Sequence, residues 1–283
     1  MTPRWLSAAE VEERLSPAAA VDALEAALRD GLNPEADVAR SVVDVEGGQL
    51  LVMPSAAAAG PVVKLVTVGG APRVQGLCVV FDAQTLAPAA LLDGIAVTNL
   101  RTAAVSALAV RHLARPHARR LLVFGRGPQA RAHVAAVRAV RPIERIDLVG
   151  RDRDPAEVDA LVAAADVVCC CTSAREPLFA GALVADHAAV VAIGSHEPDA
   201  RETDDALAAR ATVVVESRAS ALREAGDVLL ALRAGVLSAG ALVTLADLVR
   251  GVVAPAPGRP RLFKSTGMAW EDAVVATAVV RAG

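Results

Sequence analysis

A glycine-containing turn between a predicted strand and a predicted helix is the segment best suited to bind a charged ligand. The segment LLVFGRGPQARAH places Gly125, Gly127 and Ala130 in a G-x-G-x-x-A pattern. After a strand, the first glycine permits a tight turn, the second lets the backbone approach a pyrophosphate, and the alanine allows close helix–strand packing. The helix amino terminus would hold the phosphate charge. We therefore expect a dinucleotide site, the alternative being a tight turn without a ligand.

The end of the next predicted strand bears on which dinucleotide would bind. An acidic residue there would bind a ribose 2′-hydroxyl and favour NAD, whereas Gly150 offers no side chain and Arg151 could pair with a 2′-phosphate. NADP is therefore preferred over NAD. Asp152 and Arg153 weaken this preference, because a solvated arginine in a loop is common.

Lysine is nearly absent from the chain, which draws attention to the two lysines that remain. Among 29 lysines and arginines, only Lys64 and Lys264 are lysine. A lysine supplies a compact, titratable amine that an arginine cannot supply. Both are candidates for a functional role, with a surface position as the alternative for Lys264.

Length and composition predict a globular chain of one or two domains without nucleic-acid or membrane partners. The 283 residues are 54% hydrophobic and 22% charged, with a net charge of -3 and 2% aromatic residues. No apolar run is long enough to span a membrane and no signal region is recognisable, so a cytoplasmic location is expected. Cys78 stands alone and the cysteines at 169–171 would alternate between strand faces, which predicts buried thiols and no metal site.

The elements that must position these residues follow from hydrophobic periodicity. Residues 7–30 predict one or two amphipathic helices, starting at Ser7 with Glu10 in a capping box. Short apolar runs from 38 to 92 predict a mainly antiparallel sheet, followed by an alanine-rich helix at 98–114. From residue 120 strands alternate with helices, which is typical of a parallel α/β sheet. A last helix is expected from about 268 to 281.

Seven segments in order carry a family resemblance. They are Arg40 ahead of GGQLLVMPS, Lys64 in VVKLV, LLDGIAVTNLRTAAVSALAVRHLA, FGRGPQA, IGSHEPDARE, EAGD and FKSTGMAWEDAVVA. On these segments the chain resembles the ornithine cyclodeaminase/mu-crystallin family over nearly its whole length. The resemblance implies a homodimer. It also implies a substrate and dimerisation domain of α+β type (1–114 and 257–283) and a Rossmann-type domain with a parallel sheet (115–256).

The resemblance also implies roles for individual residues. Arg40, Lys64 and Arg101 would bind a substrate carboxylate, which suits the bidentate geometry of arginine and the point charge and proton of lysine. The alternative for Arg101 is a charge on a helix surface. The residues expected to contact the cofactor are Thr102, Gly125, Arg126, Gly127, Gln129, Ala130, Arg151, Thr172, Ser173 and Ser265.

Two departures from the family pattern modify these expectations. The segment between RIDLVG and DVVCCCT holds only one helix, so the Rossmann sheet should be shortened by about one helix–strand unit. In addition, His196 stands where the cyclodeaminases carry an acidic residue. A histidine can act as an acid or base near neutral pH, but it does not supply an anion facing a cationic imine. The alternative is a polar loop residue without a catalytic role.

These observations favour an NAD(P)H-dependent reductase of a small cyclic ketimine carboxylate, such as a pyrroline- or piperideine-2-carboxylate. Lys64 and His196 are the expected catalytic residues, and no metal is required because the cofactor carries the hydride. One alternative is an ornithine cyclodeaminase or an alanine-type amino-acid dehydrogenase. A second alternative, of another class, is a non-catalytic NADP(H)- or ligand-binding protein like some mu-crystallin relatives.

Overall fold

The chain divides into two compact units in the computed structural model, which describes residues 2–58 and 60–282. The first unit comprises residues 1–105 and 268–283, and the second comprises residues 106–267. The division therefore falls inside a long helix and after a C-terminal strand, rather than at 114/115 and 256/257. The end residues Met1 and Gly283, included in the predicted domains, lie outside the described residues.

The described part of the chain holds thirteen strands and ten α-helices. The strands are β1 (Arg4–Leu6), β2 (Ser41–Val45), β3 (Gly48–Ala58), β4 (Gly60–Gly69), β5 (Val74–Phe81), β6 (Pro88–Asp93), β7 (Arg120–Phe124), β8 (Arg145–Val149), β9 (Val167–Cys170), β10 (Ala189–Ala192), β11 (Thr212–Val215), β12 (Val243–Thr244) and β13 (Arg261–Lys264). The helices are α1 (Ala8–Arg14), α2 (Pro17–Arg29), α3 (Gly94–Leu113), α4 (Pro128–Val140), α5 (Pro155–Ala164), α6 (Asp205–Arg210), α7 (Arg218–Glu224), α8 (Gly226–Arg233), α9 (Leu245–Val249) and α10 (Ala269–Arg281).

The first unit is built on a six-stranded sheet in the order β1-β6-β5-β4-β3-β2. The pairs from β2 to β6 are antiparallel, as predicted, and only β1 pairs in parallel. The capping box at the start of α1 is confirmed, because the Ser7 and Glu10 side chains each accept from the other residue's backbone N–H. The C-terminal helix α10 packs against β3 and β4, which brings the end of the chain onto this sheet.

The second unit is a parallel seven-stranded sheet in the order β12-β11-β13-β10-β9-β7-β8. Its central strands are buried along their whole length, as expected for a sheet covered on both faces. In the described chain β8 pairs only with β7, and the single helix α5 leads from β8 to β9. The predicted α/β fold with a shortened Rossmann-type sheet is therefore confirmed.

Two strands of this sheet, β12 and β13, do not follow from the sequence pattern. Lys264 falls in the segment 257–283 that is predicted to belong to the substrate domain, but β13 lies inside the sheet of the second unit, between β10 and β11. β12 has only two residues, and β13 (RLFK) has a basic residue at each end, so neither has the apolar run by which the other strands are recognised.

Candidate functional site

The glycine turn of the second unit has the geometry that a pyrophosphate requires. Gly125 has φ 109°, and a Cβ added to it would lie 2.5 Å from the carbonyl oxygen of Cys171, so only glycine fits. Among the described residues, a Cβ at Gly127 would meet no atom within 4 Å other than those of its chain neighbours, which leaves this side of the turn open. Gly127 is also the N-cap of α4 and provides no side-chain cap for the helix start. Ala130 is buried, as the pattern predicts. These residues fit a dinucleotide.

A cleft of about 700 Å³ lies beside this turn at the carboxyl ends of β7, β8 and β9. Ligands of open α/β sheets bind at this edge. Five of the predicted cofactor residues line the cleft together, namely Gly125, Arg126, Arg151, Thr172 and Ser173. Gln129 and Ala130 lie in the first turn of the adjacent helix α4. The second unit thus gathers most of the predicted cofactor residues at one edge of its sheet.

Arginine and aspartate side chains share the part of the cleft that follows β8. Arg126 Nη1 lies 3.0 Å from Asp152 Oδ1 in an exposed ion pair. A Cβ at Gly150 would lie 2.6 Å from the same Asp152 oxygen and 2.8 Å from Arg126 Cζ, so Gly150 makes room for this pair. Exposed ion pairs contribute little stability, so Arg126 can exchange Asp152 for another anion. Arg151 is exposed and lines the same cleft.

Lys64 is the most deeply buried cation of the first unit's predicted substrate residues. It lies on β4, opposite Met53 of β3 and Cys78 of β5. Its side chain is 1% exposed, and its Nζ lies 2.8 Å from Asp272 Oδ1. Desolvation, together with the nearby Arg101, lowers the pKa of Lys64 to about 8, while Asp272 opposes the shift. Lys64 can therefore exchange a proton close to neutral pH.

Arg101 lies beside Lys64 in the same charge cluster. It is 6% exposed on α3, so the alternative of a helix-surface charge is wrong. Its Nη1 donates to Glu271 Oε2 at 2.7 Å, and its Nε lies 3.1 Å from Asp272 Oδ1. The buried set of Lys64, Arg101, Glu271 and Asp272, called here the substrate cluster, contains two cations and two anions. It lies entirely within the first unit.

The acidic half of the substrate cluster was missed by sequence reasoning. Glu271 and Asp272 are both 0% exposed in the first turn of α10. A signal was available, since two adjacent acids begin an otherwise apolar helix in AWEDAVVA. Acidic residues in a first turn are, however, usually explained by the helix dipole, so the sequence alone did not distinguish a buried role.

The remaining predicted residues have less direct support. Arg40 immediately precedes β2 and is partly exposed, and His196 is partly exposed in the loop after β10. Thr102 is buried on α3, and its Oγ1 makes no hydrogen bond within the described residues. The Ser265 hydroxyl is buried and donates to Glu216 Oε1 at 2.5 Å, so it is engaged inside the second unit. Lys264 is 1% exposed, and its alternative surface position is wrong.

Neither a metal site nor a membrane span is found in the described residues. Their His, Cys, Asp and Glu side chains form no group of three or more that could hold a metal ion. Cys78, Cys169 and Cys170 are buried free thiols, and Cys171 is partly exposed. Among residues 2–58 and 60–282, no helix is long and apolar enough to cross a membrane.

Comparison with known proteins gives consistent matches over both units. The model of the ornithine cyclodeaminase/mu-crystallin family matches residues 1–160 and 155–282. A Delta(1)-pyrroline-2-carboxylate reductase of Colwellia psychrerythraea is 36% identical, with 74% of this chain and 73% of the relative covered. The ketimine reductase mu-crystallin of Rattus norvegicus is 34% identical, with 98% and 96% covered.

Solved structures agree with these matches. A Delta(1)-pyrroline-2-carboxylate reductase of Thermococcus litoralis, in complex with NADH and L-proline, superposes with a TM-score of 0.90 at 28% identity. The superposition covers 99% of this chain and 97% of that one. A probable ornithine cyclodeaminase from Bordetella pertussis also has a TM-score of 0.90, at 31% identity, with 99% and 97% covered.

Proposed function

The chain belongs to the ornithine cyclodeaminase/mu-crystallin family, and on that premise we propose that it reduces a small cyclic ketimine carboxylate with NAD(P)H. It is an NAD(P)-dependent oxidoreductase acting on C=N bonds, the class of its named reductase relatives. The substrate is of the pyrroline- or piperideine-2-carboxylate type. The observation that carries this proposal is the burial of a titratable lysine and an arginine on either side of the Asp272 carboxylate in the substrate cluster.

The charge of the substrate cluster suits such a substrate. With Lys64, Arg101, Glu271 and Asp272 all ionised, the cluster has no net charge. A protonated imine that carries a carboxylate also has no net charge. Binding therefore adds no uncompensated charge to a buried region, where an unpaired ion is costly. In this proposal Arg101 and Arg40 hold the carboxylate through charge-assisted hydrogen bonds.

Lys64 supplies the proton in the proposed reaction. When bound, the nicotinamide provides the hydride that adds to the imine carbon C2. Hydride addition turns the C=N bond of the protonated imine into a single bond and leaves a neutral secondary amine, whose nitrogen then gains one proton to form the ammonium of the product. With a pKa of about 8, the Lys64 ammonium is mostly protonated at neutral pH and can donate from Nζ to that nitrogen. His196 is an auxiliary acid in this scheme and is proposed only on its place in the loop after β10.

We propose NADP as the preferred cofactor. Gly150 leaves no carboxylate at the end of β8 itself, and Arg126 and Arg151 both line the cleft there. A 2′-phosphate would replace Asp152 as the partner of Arg126, whereas a 2′-hydroxyl would leave the Arg126–Asp152 pair intact. Proposed cofactor contacts elsewhere are Thr102, Gly127, Gln129, Ala130, Thr172, Ser173 and Ser265.

We also propose a homodimer formed through the first unit. β2 is the edge strand of its sheet, and Val42, Val43 and Val45 are each 47–48% exposed on this strand. Exposed apolar edge strands invite pairing with another chain. Light scattering of the purified protein tests this, and a monomer at micromolar concentration would contradict it.

A substrate panel tests the proposed activity. NADPH and NADH oxidation would be followed with pyrroline- and piperideine-2-carboxylates, and in parallel ornithine with NAD⁺ would be assayed for ammonia and proline. We expect imine-dependent NADPH oxidation. Ammonia and proline from ornithine would instead indicate a cyclodeaminase, and cofactor binding without any turnover would indicate a binding protein.

A further inference from the structure

Three charged side chains of the second unit are buried together beneath the carboxyl edge of its sheet. Glu202, Asp227 and Lys264 are 0%, 2% and 1% exposed. Lys264 Nζ lies 2.9 Å from Asp227 Oδ2 and donates to the backbone oxygen of Ser195 at 2.8 Å. The residues come from three distant parts of the chain, and we refer to them as the loop network.

Glu202 joins the two loops that follow β9 and β10. Its Oε1 accepts from the backbone N–H of Thr172 at 2.9 Å and from the Thr172 hydroxyl at 2.7 Å. Its Oε2 accepts from the backbone N–H of Gly194 at 2.7 Å. A Cβ at Gly194 would lie 2.1 Å from the Thr172 carbonyl oxygen and 2.4 Å from Glu202 Oε1. The Glu202 carboxylate therefore holds the backbones of Thr172 and Gly194 so close together that only glycine fits at position 194.

Asp227 holds the Glu202 backbone in turn. Its Oδ1 accepts from the backbone N–H groups of Glu202 and Thr203 at 2.9 and 2.8 Å, and from the Thr203 hydroxyl at 2.8 Å. Lys264, on β13, then neutralises the negative charge of Asp227. The loop network thus runs continuously from a central strand, through α8, to the residues at the mouth of the cleft.

Such an arrangement is a costly way to obtain stability alone. Buried ion pairs are often no more stabilising than apolar side chains of similar volume, so their presence points to a requirement for fixed geometry. Thr172 and Ser173 line the cleft assigned to the cofactor, and Thr172 is hydrogen-bonded directly to Glu202. We propose that Glu202, fixed by Asp227 and Lys264, is a positioning residue that holds the Thr172–Ser173 loop in the conformation that binds NADPH. This inference rests on the proposed function.

Ionisation of Glu202 should control this positioning. The groups facing it are Lys264 on β13, Asp227 on α8, and the thiols of residues 169–171 on and after β9. Burial raises the pKa of Glu202 to about 7, and it raises the pKa values of the three thiols, which stay neutral. The carboxylate accepts three hydrogen bonds, whereas a protonated Glu202 loses acceptor capacity. NADPH affinity should therefore fall as the pH decreases through about 7.

The test is NADPH binding measured by fluorescence titration between pH 6 and pH 8, without substrate. In the wild type we expect the Kd to rise as the pH decreases through about 7. Glu202→Gln keeps the size of the side chain but loses one acceptor oxygen. We expect the Kd of this variant for NADPH at pH 8 to be at least about tenfold higher than that of the wild type, and to vary little with pH. Glu176→Gln is the matched control, because Glu176 is an exposed residue of the loop that contains Thr172 and Ser173, and it should behave as the wild type.

The outcomes separate this inference from the proposed function. A wild type that binds no NADPH at any pH would overturn the cofactor site itself. A wild type that binds NADPH with a Kd independent of pH would overturn the role of Glu202 even if Glu202→Gln did not fold. A folded Glu202→Gln variant with wild-type affinity and pH dependence would overturn it as well.

Discussion

Lys64 on β4 and Asp272 on α10 form a buried ion pair, with Nζ 2.8 Å from Oδ1 and each side chain 1% exposed. The same Asp272 oxygen lies 3.1 Å from Arg101 Nε. One carboxylate oxygen thus lies between the two cations that are proposed to bind the substrate. Asp272 therefore limits the repulsion between them and favours the protonated form of Lys64.

Removal of the Asp272 charge should alter both stability and the pH profile. Asp272→Asn leaves two buried cations without their shared anion, which should lower the free energy of unfolding by about 3–5 kcal/mol. Asp272 raises the pKa of Lys64, so the variant's lysine should lose its proton below about pH 8. The alkaline limb of kcat/KM should then move to lower pH. Asp30→Asn, at an exposed position at the end of α2, is the control, and an unmoved limb in a folded Asp272→Asn would contradict the pairing.

The buried His133 should make stability depend on pH in the acidic range. It bonds to the Gln129 carbonyl and to Ser106 Oγ, and burial lowers its pKa to about 4 from the usual 6.5. As the pH falls below 6.5, His133 binds a proton in the unfolded chain, but in the native protein it stays neutral until about pH 4. The free energy of unfolding therefore decreases across this pH range. Between pH 7 and pH 5 this contribution is about 2 kcal/mol.

Urea unfolding at pH 7 and pH 5 measures this contribution. We expect His133→Gln to lose less stability between the two pH values than the wild type does, whatever its stability at pH 7. His117→Gln, at an exposed position, should keep the wild-type difference. An equal loss in His133→Gln and the wild type would show that another group is responsible.

Alanine substitution should have different effects at Gly125 and Gly127, the two glycines of the turn between β7 and α4. Gly125→Ala imposes φ 109° on an alanine and places its Cβ 2.5 Å from the Cys171 oxygen, so stability should fall by about 1–3 kcal/mol. The added methyl group of Gly127→Ala has space beyond its chain neighbours in the described part of the structure, so this variant should unfold like the wild type. Its methyl group would, however, stand in the path of the pyrophosphate, so NADPH should bind about tenfold more weakly. Thermal unfolding and NADPH titration of both variants would be compared, and wild-type affinity in Gly127→Ala would argue against the proposed phosphate position.

Charge changes after β8 should alter the cofactor preference. Arg151→Ala should lower the kcat/KM ratio of NADPH to NADH by about tenfold, because a charge-assisted hydrogen bond to the 2′-phosphate is lost. Asp152→Asn should raise this ratio, since Arg126 loses its competing anion. Arg145→Ala changes an exposed arginine at the other end of β8 and is the control. A ratio unaffected by both Arg151→Ala and Asp152→Asn would refute the assignment to NADP.

Local patterns were sufficient to predict the parts of the site that depend on neighbours in sequence. The strand, glycine turn and helix that include Gly125 are contiguous, so a single sequence segment contains both the tight turn and the glycine that the turn requires. The capping box at Ser7 was predictable for the same reason. β7 to β11 of the parallel sheet were recognisable by their apolar runs, whereas β12 and β13 were not.

Long-range pairing explains what the sequence could not show. Glu202 and Asp227 lie in the segments IGSHEPDARE and EAGD, which pointed to the family but gave no physical role to either acid. Their partner Lys264 lies on β13, and only the order of strands in the sheet brings the three together. In the same way, Asp272 is separated from Lys64 by most of the chain. Charged residues with distant partners look like surface residues until the fold is known.

The most direct test of the account compares the wild type with Lys64→Met in NADPH oxidation with a pyrroline-2-carboxylate at neutral pH. Lys64→Met retains the volume of the side chain, and Arg101 remains beside Asp272. Thermal unfolding checks that the variant is folded, and NADPH titration checks the proposed cofactor site in the second unit. We expect the wild type to form one proline for each NADPH consumed, and Lys64→Met to bind NADPH normally while its turnover falls at least about 100-fold. Near-normal turnover by Lys64→Met would contradict the role of Lys64 as proton donor, and absence of turnover by the wild type with every cyclic ketimine carboxylate would contradict the proposed reaction.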